Sequence, residues 1–160
     1  MFLVGDKVVH PLHGAGVIED ITQERLAGKA AQYYVFRMPN GGLTLKIPTE
    51  NSGAVGLRSP MTTEQVDDLF KAIPGLDPEM TSNWNRRYRE NMEKLKSGDL
   101  REVATVIKGL ALRDLKQGLS TGERKMLYNA KQVLLSEVAL VWNVTYEAAE
   151  KVLNSAILSN

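Results

Sequence analysis

One stretch of this chain combines residue types at a spacing that could act on a partner: Ser82-Asn83-Trp84-Asn85-Arg86-Arg87-Tyr88-Arg89, continuing to Ser97-Gly98-Asp99. On a helix, Trp84, Tyr88, Met92 and Leu95 share a face, and Arg86, Arg87 and Arg89 lie mostly to its sides. An apolar ring flanked by guanidinium groups is equipment for entering a minor groove and disturbing a base step. A helix N-terminus adds free backbone N–H groups that can meet a phosphate. Against this stands the ordinary fate of a Trp at helical spacing, which is to pack in a core. Trp84 falls in the first turn, where it can project beyond a bundle, and three Arg and two Asn surround it, a poor neighbourhood for a buried indole. Trp142, with Val141 and Val144 beside it, reads as core packing.

No other residues assemble a chemistry. There is no Cys, so disulfides, thiolate metal sites and Cys nucleophiles are excluded. The phosphate-loop, dinucleotide, nucleophile-elbow and zinc-protease motifs are all missing. His10 and His13 flank Pro11-Leu12 in a turn-rich segment without carboxylate neighbours, and read as structural or exposed residues rather than metal ligands. Asp67-Asp68 and Glu147/Glu150 read as solvent-facing helix charges. The expectation is a protein that is not an enzyme, with no cofactor, no metal and no small-molecule substrate.

Net charge is +1, which alone argues against nucleic acid, but the average conceals an asymmetry. From Ser82 to Lys131 there are twelve Lys/Arg against six Asp/Glu, a local +6, so the rest of the chain sums to −5. Such a segment is either an electrostatic footprint for phosphate or a set of solvated helix faces. With 43% hydrophobic and 24% charged residues the chain is that of a globular protein. Neither a signal peptide nor an apolar run of about 20 residues is present, so no membrane partner is expected. Soluble and cytoplasmic is the expected location.

Two different periodicities position these residues. Up to about Leu57, short β-rich runs alternate with turns: Lys7 to His10, Val17 to Thr22, Gln32 to Met38, Leu43 to Ile47, and a short strand at Ala54 to Leu57. Asn40-Gly41-Gly42 is the strongest hairpin signal. About five strands in under 60 residues predict a small SH3- or Tudor-like barrel. From Thr62 the period is helical. Thr62-x-x-Gln65, Asp99-x-x-Glu102 and Ser120-x-x-Glu123 have the pattern of capping boxes; Ser82 or Asn83 caps a further helix and Thr145 a fifth. Gly118 is placed just past the end of the third helix. The predicted fold class is α+β and multidomain: residues 1–58 a small β-barrel, residues 59–160 a compact bundle of about five helices.

The order and spacing of several blocks resemble the CarD/CdnL family of bacterial transcription regulators over nearly the full length. They are Val4-Gly5-Asp6-Lys7-Val8-Val9-His10-Pro11 with His13-Gly14, then Leu43-Thr44-Leu45-Lys46-Ile47-Pro48 with Glu50-Asn51. In the helical part they are Asn83-Trp84-Asn85-Arg86-Arg87-Tyr88, Glu93-Lys94-Leu95, Leu119-Ser120, Gly122-Glu123 and Lys125-Met126-Leu127. The resemblance implies a Tudor-like N-terminal module, akin to that of the transcription-repair coupling factor, that binds the RNA polymerase β subunit. It also implies a helical module that contacts promoter DNA at the upstream edge of the bubble. There a Trp wedges into the minor groove and stabilises the open complex of the housekeeping sigma holoenzyme. By this resemblance Trp84 is the wedge, Arg86, Arg87 and Arg89 are phosphate or groove contacts, and Lys46 matches a basic polymerase-contacting position. The protein would be associated with the nucleoid through polymerase. Relatives carry a further basic contact near residue 24, where this chain has Glu24 followed by Arg25. Either Arg25 substitutes with a one-residue shift, or the polymerase interface differs. An adaptor whose helical module binds another protein is the alternative reading.

Overall fold

A computed structural model describes residues 1–38, 42–51 and 56–159. The chain forms two compact units, Met1–Pro60 and Met61–Asn160. In the first, β1 (Lys7–His10), β2 (Gly14–Leu26), β3 (Lys29–Arg37) and β4 (Thr44–Pro48) pair as an antiparallel meander in the order β1-β2-β3-β4. The sheet curls around Val8, Ile18, Tyr34, Phe36, Ile47 and Leu57. A bulge between Ile18 and Asp20 helps it curl, because an extra residue on one strand increases the local twist. Of the strand expected at Ala54 to Leu57, Ala54 and Val55 lie outside the described residues, as do Asn40 and Gly41 of the expected hairpin turn. Leu57 joins the core, and Arg58 forms a two-way backbone bridge with Val9.

The β2–β3 hairpin is longer than its sequence suggested. Leu26 and Lys29 pair directly across Ala27 and Gly28, whose φ values are 52° and 80°. A two-residue turn with both central residues left-handed matches the twist of the strands. Gly28 adopts this freely, whereas Ala27 does so against its Cβ, so the spacing of β-rich runs did not reveal a turn this tight. Gly16 marks a close approach: a Cβ on it would lie 2.5 Å from the Arg37 carbonyl oxygen and 2.6 Å from the Phe36 ring.

His10 is buried, and its Nδ1 accepts hydrogen bonds from the amides of Leu12 (3.1 Å) and His13 (3.3 Å). Burial first, and the neighbouring His13 second, hold its pKa below the ordinary value of 6.5. The neutral ring is therefore the form that folds. Stability from it is complete above the unfolded pKa and is lost as pH falls through the lower folded value. Below about pH 6.5 the β unit should open more readily, read as faster hydrogen exchange at the Val8 and Tyr34 amides after correction for intrinsic rates. His10→Asn should flatten that dependence, and an identical pH profile in both proteins would dismiss the assignment.

The second unit contains α1 (Thr63–Ala72), α2 (Trp84–Lys96), α3 (Leu100–Gln117), α4 (Thr121–Trp142) and α5 (Tyr146–Leu158). Thr62, Asn83, Asp99, Ser120 and Thr145 each cap a start with a side-chain oxygen. Only Thr62 and Gln65 form the reciprocal box. The core runs through Val66, Leu69, Ile107, Leu134, Val138 and Leu153. Trp142 packs at 4.8 Å from the Phe70 ring, and its Nε1 donates to Asp67. Among the described residues no helix is long and apolar enough to cross a membrane.

Candidate nucleic-acid interface

Trp84 opens α2, so whatever fixes the preceding segment fixes the indole. Between the 3-10 turn Ile73–Gly75 and the cap Asn83 the chain has no regular structure, and side chains from other helices hold it. Lys108 of α3, 6% exposed, donates its ammonium to the carbonyls of Ile73 (2.9 Å), Pro74 (2.9 Å) and Leu76 (2.8 Å). Gly109 lets Met80 and Pro78 press onto α3, since a Cβ there would lie 2.9 Å from Pro78 Cβ. Arg87 Nη1 then donates to the carbonyls of Thr81 and Ser82.

The rest of the Arg87 guanidinium forms a forked ion pair with Glu123 of α4, at 2.7 Å and 3.1 Å. Both residues are interior, 2% and 1% exposed. The hydrogen bonds from Arg87 hold the Glu123 carboxyl below its usual pKa, against the opposing effect of burial, and Arg87 is raised in turn. This corrects the expected position of Arg87 beside the other arginines. Its charge is already satisfied inside the fold, so it presents nothing to a phosphate. Asn91, one turn further, is buried too. The inward stripe of α2 is thus partly polar, and Tyr88 and Met92 are only half-buried.

Trp84 is 43% exposed. Its ring stacks on Tyr88 with centroids 5.3 Å apart and planes 19° from parallel, and Nε1 donates to Ser120 Oγ at 2.9 Å. The indole is therefore neither free nor enclosed: one edge is held and the other meets solvent. Arg86 and Arg89 are exposed on the first two turns of the same helix. Arg86 also pairs with Glu90 at 2.8 Å, an exposed i,i+4 contact worth little in water. Arg124 and Lys125 are exposed on the first turns of α4, the helix that carries Ser120. The unit thus offers a flat apolar ring together with exposed cations, suited to stacking and to backbone phosphates rather than to bond-making chemistry.

In the β unit, Lys46 sits on the edge strand β4 opposite Val35, and its ammonium pairs with Glu24 of β2. Glu24 lies opposite Ala31 and Arg25 opposite Ala30. Since successive strand residues alternate faces, Glu24 shares the face of Lys46 and Arg25 has the opposite parity. Arg25 is exposed but is not a neighbour of Lys46 on that face. The residues whose part in the Trp84 corner sequence reading missed are Ser120 and Glu123, seen there as a cap pattern and within the family blocks, and the buried Lys108.

Comparison with known proteins accounts for both units. The family described as "CarD-like/TRCF RID domain" matches residues 2–59, and "CarD, C-terminal domain" matches residues 68–154. The chain is 32% identical over 145 residues to the putative transcription factor YdeB of Bacillus subtilis, covering 91% of this chain and 95% of that one. A solution NMR structure, the 72-residue N-terminal domain of Myxococcus xanthus CarD, aligns at 27% identity over 37% of this chain and 79% of that one, with a TM-score of 0.33. With both units matched in order, and a relative aligned over nearly the full length, the chain belongs to the CarD family of transcription factors.

Proposed function

We propose that the protein regulates transcription initiation from the cytoplasm, its β unit binding the RNA polymerase β subunit and its helical unit binding promoter DNA. Trp84 enters the minor groove at the upstream edge of the bubble, and Arg86 and Arg89 meet the flanking phosphates, so the open complex formed with the housekeeping sigma factor is held open. One observation carries this reading: an indole with one edge exposed and the other fixed, at the start of a helix whose first turns also carry two exposed arginines. Unstacking a base step costs a few kcal/mol, and at the bubble edge the polymerase has already done part of that work. The indole therefore favours the open complex over the closed one. Lys46 is the proposed polymerase contact. Arg25, on the other parity, is proposed only as a second basic group at the tip of the β2–β3 hairpin.

The test is the lifetime of a purified holoenzyme open complex with the protein and its variants. Trp84→Ala should shorten the lifetime roughly tenfold, equivalent to about 1.4 kcal/mol of lost differential contact. Polymerase binding should persist, and Lys46→Glu should show the reverse pattern. Because the ring is half-exposed, the variant should lose well under the roughly 3–5 kcal/mol typical of a buried Trp truncation. A lifetime defect that vanishes on cooling would mean that the variant is merely unstable. Arg89→Ala should lower the slope of log affinity against log salt on a bubble template by about 1. An unchanged slope would remove that arginine from the contact and would favour a protein partner for the helical unit.

A further inference from the structure

We infer that Ser120, held in turn by Glu123 and Arg87, is a positioning residue that fixes the direction of the Trp84 indole for its partner. The inference rests on the DNA reading above for its purpose and on hydrogen-bond geometry for its substance. A serine hydroxyl has one proton to donate and two lone pairs to accept with. At Ser120 all three are used. The hydroxyl accepts from the Glu123 amide at 3.2 Å, which caps α4, and from Trp84 Nε1 at 2.9 Å. It donates to Glu123 Oε1 at 3.2 Å. The same Oε1 takes one tine of the Arg87 fork, while Oε2 takes the other.

The direction of the hydroxyl proton follows from this arrangement. Arg87 holds the carboxylate, the carboxylate orients the Ser120 proton, and the lone pairs are left facing the capped amide and the indole. Arg87 lies three residues after Trp84 on α2, so α2 and α4 are clamped at two adjacent points whose acceptors, the Ser120 hydroxyl and the Glu123 carboxylate, are bonded to each other. A third contact completes the seat. A Cβ at Gly122 would lie 3.7 Å from Trp84 Cζ2, ordinary contact distance, so the benzene edge of the indole rests beside that glycine. A half-exposed Trp without this seat would sample several rotamers, and ordering it on binding would weaken the complex.

Ser120 also caps a helix, and the experiment has to separate the two roles. Ser120→Gly removes the hydroxyl at small cost to the cap, and Ser120→Thr keeps both functions. In protein labelled with ¹⁵N at tryptophan there are two indole signals, and Trp84→Phe identifies which is which. In Ser120→Gly the Trp84 signal should shift and exchange faster with water, while that of Trp142, bonded to Asp67, stays in place. Open-complex lifetime should fall about threefold to tenfold, the range expected for one newly mobile side chain, with no change in salt slope. Ser120→Thr should restore both readouts. In a Trp84→Ala background, Ser120→Gly should have no further effect on lifetime. An equal loss in that background would show that Ser120 acts through the cap alone, and an unmoved indole signal would show that the bond is absent; either overturns the inference. If the signal moves but Trp84→Ala leaves lifetime intact, the DNA reading fails and the bond loses the purpose assigned to it.

Discussion

Glu123→Ala should destabilise the helical unit by about 3–5 kcal/mol, the usual consequence of leaving a buried charge without its partner. Arg87 would keep its bonds to the Thr81 and Ser82 carbonyls, but the other two nitrogens of its fork would face the interior with no anion. Arg87→Ala should be similarly severe, since Glu123 would then retain only the Ser120 hydroxyl. Replacing both partners together, Arg87→Met with Glu123→Leu, should recover much of the loss, because no buried charge is then unpaired and only the Thr81 and Ser82 carbonyls lose a donor. Urea denaturation followed by tryptophan fluorescence reads all four proteins. If Glu123→Ala unfolds within 1 kcal/mol of the parent, as a surface pair would, the pair is solvated and the clamp described above does not exist. The double variant should remain deficient in open-complex lifetime, because it lacks the carboxylate that orients Ser120.

Lys108→Met should cost about 2–4 kcal/mol, because its ammonium bonds to three backbone carbonyls. Its ammonium is the shared donor for three carbonyls at the turn after α1, where a helix end leaves its last carbonyls without partners. A cation there also complements the negative end of the helix dipole. Methionine fills the space of the stem and supplies no donor, so the carbonyls must find water or shift. Arginine should not rescue, because three convergent oxygens fit the three donors of an ammonium better than a planar fork. The measurement is thermal or urea unfolding together with amide exchange over residues 76–83, which should open ahead of the core in Lys108→Met. Stability equal to the parent would show that the ammonium does not sit among those carbonyls.

How much could be read from the sequence depended on how local each interaction is. The caps at Thr62, Asn83, Asp99, Ser120 and Thr145 act within three residues, and their side chains bond as the spacing implies. The pattern Ser120-x-x-Glu123 was correct as a cap, but the Glu123 carboxylate left the box for Arg87, across 36 residues that no spacing rule spans. The same nonlocality misplaced Arg87. Helical periodicity assumes that the apolar stripe is the inward one, whereas α2 turns Arg87 and Asn91 inward and leaves Trp84 at the rim. In the β unit, alternation located the strands, but the tightness of the turn at Ala27-Gly28, which uses a left-handed alanine, was not legible. The face of Arg25 required the register against Ala30, which only pairing defines.

The two bonds between α2 and α4 have a further consequence for how the chain is made. Trp84 to Ser120 and Arg87 to Glu123 each span 36 positions, so α2 leaves the ribosome complete before its clamp exists. At about 5–20 residues per second, translation of that interval takes roughly 2–7 seconds. During that time the nascent helix carries three solvated arginines instead of two, and an indole with no fixed orientation. Closure of the clamp withdraws one cation at the moment it seats the ring. The growing chain therefore presents one more free guanidinium and a less directed indole than the finished protein, and synthesis of α4 ends that state.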